Sequence, residues 1–124
     1  MPYIVSIATR STAQTLELTE GSVRSAITTT SSTTQSVLVS LSTETFRSAN
    51  YQIQITQGSN FNTTSINVIH NGSNTYMTEF GSISEPIGIS TFTTDIDSGN
   101  FRLLAYPSSS NLTTFKVIFT AIKS

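Results

Sequence analysis

The sequence predicts an all-β protein, an antiparallel β-sandwich of about seven to eight strands carrying an extended N-terminal arm. Three observations lead there. From residue 37 onward apolar and polar residues alternate in short windows, the period-two pattern of a sheet with one face buried. Turn residues punctuate these windows at short intervals. Serine and threonine make up about a third of the chain, and no window holds apolar residues at helical spacing for more than a turn. A small barrel is the alternative closure of the same strands.

Residues 1–36 read as an arm or as edge strands, and 37–124 as the sandwich domain. From Ser11 to Ser36 apolar residues are isolated, and the run from Thr28 to Thr34 offers nothing to bury. Ile4, Val5 and Ile7 could supply one short strand and Leu16-Glu17-Leu18 another, ordered by a neighbouring subunit. Alternation then sets in over Val37–Leu41 and Tyr51–Ile55. Ser65–His70 and Thr75–Phe80 flank Asn71-Gly72, a pair that tolerates positive φ at both turn centres and so marks a hairpin. Ile87–Ile96 and Phe101–Tyr106 flank Asp97-Ser98-Gly99-Asn100, a second hairpin. Thr114–Ile122 is the most apolar run, which places it centrally in a sheet.

Composition narrows the function. Charged residues are 10% of the chain and the net charge is -1, so no basic stripe exists to neutralise phosphates and nucleic acid is not an expected partner. No apolar stretch is long enough to span a bilayer, so no membrane partner is expected either. There is no cysteine, which removes disulfides, thiolate metal sites and a thiol nucleophile. The N-terminus lacks the basic and apolar regions of a secretion signal, and assembly in a host cytoplasm is the matching expectation.

Candidate chemistry is sparse. His70 is the one histidine, at a strand end beside the Asn-Gly turn, and no carboxylate or serine partner stands near it in sequence. No serine sits in the Gly-x-Ser-x-Gly pattern of a nucleophile elbow. Asp95-Ile96-Asp97-Ser98-Gly99-Asn100 begins like a calcium loop but lacks the downstream glutamate, and its residues are those a hairpin turn demands. Glu79 and Glu85 could pair as acid and base only if the fold set their separation. The sequence therefore predicts no enzyme, no metal and no cofactor. Most aromatics fall at inward positions, whereas Phe61 and Tyr106 read as loop residues suited to contact with a neighbour.

Four stretches carry a resemblance: Phe46–Tyr51, Val68–Gly72, Thr75–Gly81 and Ser98–Leu104. In order and spacing, residues 46–122 resemble a β-sandwich module of structural proteins in tailed-phage virions, especially those infecting marine cyanobacteria. This chain has Asn71 where the family usually has Asp, and Phe80 where it usually has Tyr. The resemblance implies a virion location and, for a small version, a decoration or cement protein that binds the assembled head, its partners being the major capsid protein, other virion proteins and copies of itself. The expected attachment residues are Tyr3, Ile4, Val5, Ile7, Leu16 and Leu18, with Phe61 and Tyr106 as further contacts. The competing expectation is a tail-fibre or adhesion module that recognises a host surface glycan through Phe61, His70, Asn71, Asn74, Asp97 or Tyr106.

Overall fold

A computed structural model describes residues 15–124, all β, with nine strands in two antiparallel sheets. The strands are β1 (Thr15–Leu18), β2 (Gly21–Thr30), β3 (Ser36–Ser42), β4 (Phe46–Gln57), β5 (Asn60–His70), β6 (Thr75–Glu85), β7 (Ser90–Asp97), β8 (Asn100–Pro107) and β9 (Thr113–Lys123). Six of them form a sheet in the order β1-β2-β9-β4-β5-β6, and three form a second in the order β3-β8-β7. The strongly apolar β9 lies in the interior of the large sheet, as its composition requires.

Of the span 1–36, residues 15–30 form β1 and β2, the two strands at one edge of the large sheet, and residues 1–14 lie outside the described residues. The threonines at 28–30 bury little, yet β2 pairs along its whole length with β9, from Gly21 opposite Ile122 to Thr30 opposite Thr113. Backbone pairing holds this segment where side-chain burial does not. That is why isolated apolar residues concealed a ten-residue strand.

Between the sheets lies one core. β4 contributes Tyr51, Ile53 and Ile55; β9 contributes Phe115, Val117 and Phe119; β8 answers with Phe101, Leu103 and Ala105. Each set is spaced by two residues, so one strand face supplies it. Where the core meets polar groups they are paired: Gln57 Nε2 donates to the Thr113 hydroxyl at 2.9 Å. The Asn62 side chain donates to the Ile87 carbonyl and accepts from the Ile89 amide, both at 2.9 Å. It thereby clamps the β6–β7 connection, which contains the cis Glu85–Pro86 bond, onto the large sheet. Ile87 and Ile89, expected within a strand, are this clamped connection, and β7 begins at Ser90.

The exception is Tyr51. Its ring packs 5.3 Å from that of Phe119, but its buried hydroxyl has no hydrogen-bond partner, and burial pushes the phenol well above its ordinary range. An unpaired buried hydroxyl costs about 1–3 kcal/mol relative to a solvated one. Tyr51→Phe is therefore expected to raise stability by about 1 kcal/mol in urea unfolding; a loss of that size would mean that the hydroxyl is satisfied.

Candidate functional site

The sequence-derived candidates do not converge. His70 is buried, with Nε2 2.7 Å from the Phe46 carbonyl and Nδ1 accepting from the Gly72 amide at 3.0 Å. This pair of contacts assigns the proton to Nε2 of a neutral ring. The ring also packs against that of Phe101, tilted, with centroids 4.7 Å apart. Both nitrogens are spent on holding the β5–β6 turn to β4, and the ring packs on β8, so His70 stands here as a packing residue.

Asn71 and Asn74 lie in the exposed β5–β6 turn, where the Asn71 carboxamide accepts from the amides of Ser73 and Asn74 at 3.0 and 2.8 Å. Asp97 lies in the β7–β8 turn, whose two central residues, Ser98 and Gly99, both have positive φ. That conformation makes a two-residue hairpin loop and accounts for Asp-Ser-Gly-Asn without a cation. Because His70 packs on Phe101, these two turns occupy the same end of the sandwich.

Phe61 and Tyr106 are strand residues, not loop residues, and belong to the other end. Phe61 opens β5 with its ring on the outer face of the large sheet, while Tyr106 stands near the end of β8 and donates from its hydroxyl to Gln35 at 3.0 Å. Glu79 and Glu85 occupy opposite faces of β6, since Glu79 pairs with the inward Ile66 and Glu85 with the outward Phe61. The change of face comes from a bulge: Gly81, with φ 68°, and Ser82 lie opposite Thr64 alone. The Thr64 hydroxyl donates to Glu79 at 2.8 Å, so that carboxylate braces the bulge. Among the described residues no group of three or more His, Asp or Glu side chains is placed to hold a metal ion.

The best-formed ion pair lies on the outer face of the small sheet. Arg102 Nε and Nη2 reach the two carboxylate oxygens of Asp95 at 2.8 and 2.7 Å, with Asp97 at 3.8 Å. Hydrogen bonds from Arg102 hold the Asp95 carboxyl below its ordinary range, against a smaller opposing effect of burial. A lowered folded pKa gives stability that is present above the unfolded value, near 4, and lost as the pH falls through the folded one. Asp95→Asn is thus expected to be less stable than the parent at pH 7, and the gap should close in chemical unfolding at pH 3 and below. A gap independent of pH would show that the carboxylate charge is not what matters.

What the sequence did not reveal is the outer face of the six-stranded sheet. Strand register puts Leu18, Gly21, Ile122, Ser48, Ile69 and Tyr76 in one row across it. The next row runs Leu16, Val23, Thr120, Asn50, Asn67 and Thr78. Further along stand Ile118, Gln52, Ser65 and Phe80, then Ile27, Lys116, Gln54, Thr63 and Ile83. Most of the large apolar side chains exposed among the described residues lie here, the exceptions being Val37, Ile87, Tyr106 and Leu112. In the middle is an amide and hydroxyl ladder: Asn50 donates to Asn67, Ser65 to Gln52 at 2.7 Å, and Gln52 to Thr63 at 2.9 Å. An open depression of about 450 Å³ lies over β9, β4, β5 and β6, lined by Ser48, Asn50, Asn67 and Thr120 with Ile69, Tyr76 and Ile122 beside them. Lys116 and Glu85 are the charged residues at the strand positions of this face.

Two solved structures are similar to the chain. The tailspike protein of Acinetobacter phage vB_ApiP_P1 aligns with TM-score 0.49 and 19% identity over 82% of this chain and 22% of that one. The tailspike protein of Acinetobacter baumannii phage AM24 aligns with TM-score 0.39 and 11% identity over 82% and 26%. The chain thus spans about a quarter of the length of either. No family model and no curated protein sequence matches it.

Proposed function

We propose that this protein is a non-enzymatic structural subunit of a tailed-phage particle, a decoration or cement protein that binds the assembled head and reinforces subunit contacts. The observation that carries this reading is the edge strand β1. It is exposed at all four positions, pairs on one side only among the described residues, and follows in sequence a segment rich in apolar residues, Tyr3, Ile4, Val5 and Ile7. An unpaired strand edge is a template for strand addition, in which main-chain hydrogen bonds supply affinity and alternate side chains supply fit. The virion setting draws support from the resemblance of residues 46–122. The repeated surface of a phage head would make a weak contact per copy effective through multivalency.

The test is retention on purified particles. A variant lacking residues 1–18 should be lost from heads at a salt concentration that keeps the full chain bound; equal retention would overturn the attachment. Direct localisation of the chain in intact particles separates head from tail, and a position on the tail would favour the adhesion reading. That reading would need a site other than the one first expected, since Asn71, Asn74 and Asp97 stand at one end of the sandwich and Phe61 and Tyr106 at the other.

A further inference from the structure

The outer face of the large sheet is self-complementary, and we propose that two copies of the chain pack there, sheet on sheet, about a twofold axis. One axis suits the row assignments. A twofold axis parallel to the strands and between β9 and β4, the middle of the order β1-β2-β9-β4-β5-β6, carries β1 onto β6, β2 onto β5 and β9 onto β4, with rows kept in register. Under this operation Leu18 of one copy faces Tyr76 of the other, and Leu16 faces Thr78. These two leucines stand exposed at one margin of the face, and the depression of about 450 Å³ extends in the same two rows from Thr120 and Ile122 of β9 to Tyr76 and Thr78 of β6 at the other margin. The leucines of each copy therefore meet the β6 rim of the other copy's depression, twice in the dimer. Gly21, which has no side chain, faces Ile69 and leaves it room.

Size and charge agree with this occupant. Six strands spaced about 4.8 Å apart, with a rise of about 3.3 Å per residue over some ten residues, present roughly 700 Å² per copy, close to the roughly 800 Å² per partner of a standard stable interface. Its paired strand positions carry one lysine and one glutamate, with the exposed Arg47 in the bulge beside Ser48, so the face is weakly charged and suits a partner that is apolar at its margins and amide-bearing in its middle. The second copy has that pattern. Glu85 falls beyond the short β1 of the other copy, and Lys116 faces Gln54, whose amide oxygen can accept from the ammonium. Stacked sheets of this kind pack about 10 Å apart with their strands nearly aligned. The arrangement uses the side chains of Leu16 and Leu18 and leaves the backbone edge of β1 free, so it does not rest on head binding.

Sedimentation velocity of the purified full chain at micromolar concentrations should give twice the chain mass. Leu18→Asp, at an exposed position, should weaken association on the order of 100-fold with an unchanged circular-dichroism spectrum. Val37→Lys, at an exposed position on the small sheet, should leave it unchanged. Because the chain has no cysteine, engineered thiols report the geometry directly. The double variant Leu18→Cys with Tyr76→Cys should be joined into a covalent dimer by a short bis-maleimide that spans the spacing of about 10 Å between the sheets, and each single variant should not. A monomeric parent, equal weakening by Leu18→Asp and Val37→Lys, or no crosslink in a dimeric double variant would each overturn the proposal. A parent that is monomeric yet binds heads through this face would assign the face to a capsid protein instead.

Discussion

Phe115→Ala is expected to destabilise the protein by about 3–5 kcal/mol, the range for emptying a fully buried aromatic site. Phe115 has no exposed surface and stands opposite Ile55 of β4 within the large sheet. Across the core its ring meets Phe92 of the small sheet edge-on at 6.1 Å. Deletion therefore removes both burial and the main aromatic link between sheets at that level. The site cannot collapse easily, because its neighbours sit on hydrogen-bonded strands rather than on a mobile loop. Against a total stability of about 5–15 kcal/mol for a domain of this size, the variant should be close to unfolding. Urea denaturation is the measurement, with Phe115→Leu expected to fall between the two. A cost below about 1 kcal/mol for the alanine variant would mean that the sheets are not packed as described.

Gly21→Ala should have an effect out of proportion to the one carbon it adds. A Cβ at Gly21 would overlap the backbone carbonyl oxygen of Ala121, which cannot turn aside as a side chain could. Relief requires β2 to separate from β9 at the point where their pairing begins, beside the hydrogen bond from the Lys123 amide to the Glu20 carbonyl. We expect a loss of about 3 kcal/mol or more. Its distribution is the sharper prediction: amides of β2 should lose protection from hydrogen exchange, while those of β4 and β5 keep theirs. Gly88→Ala is the control, since its added carbon would meet nothing closer than Ser84 Oγ at 3.8 Å. If Gly21→Ala and Gly88→Ala behave alike, the close approach of β2 to β9 is not as described.

The parts of this fold legible in the sequence are those where one strand face is buried and the other is not. β4, β5 and β9 alternate because each has the core on one side, and the two hairpin turns are legible because positive φ demands particular residues. β2 escaped notice because it is held by its ladder to β9, and a ladder leaves no mark on side-chain chemistry. The start of β5 was misread for a related reason: Gly58-Ser59-Asn60 resembles a loop, yet Gln57 pairs with Asn60 across a two-residue turn and Phe61 is already in the strand. β6 carried a third difficulty, for its bulge at Gly81 and Ser82 breaks the period of two.

The outer face of the large sheet could not have been found from any one segment. Leu18, Ile122, Ile69 and Tyr76 come from four strands spread over the chain, and only register gathers them. Taken singly, each resembles the ordinary exposed hydrophobic residue that every protein surface carries. His70 errs the other way. A lone histidine beside a turn invites a chemical role, and only the positions of the Phe46 carbonyl and the Gly72 amide show that both its nitrogens are taken.

The pairing of β2 with β9 also sets the tempo of folding. Residues some ninety positions apart must meet before the large sheet has its interior strand in place, whereas β4, β5 and β6 are successive hairpins that can form from neighbouring chain. Closing so large a loop costs entropy before any contact repays it, and proteins dominated by such distant pairings fold in milliseconds to seconds rather than microseconds. The β4–β5–β6 meander is thus the expected early structure, and β9 the strand that commits the chain by joining that meander to the N-terminal hairpin. Until it docks, the exposed edge of β4 is the point at which a newly made chain is open to the wrong partner.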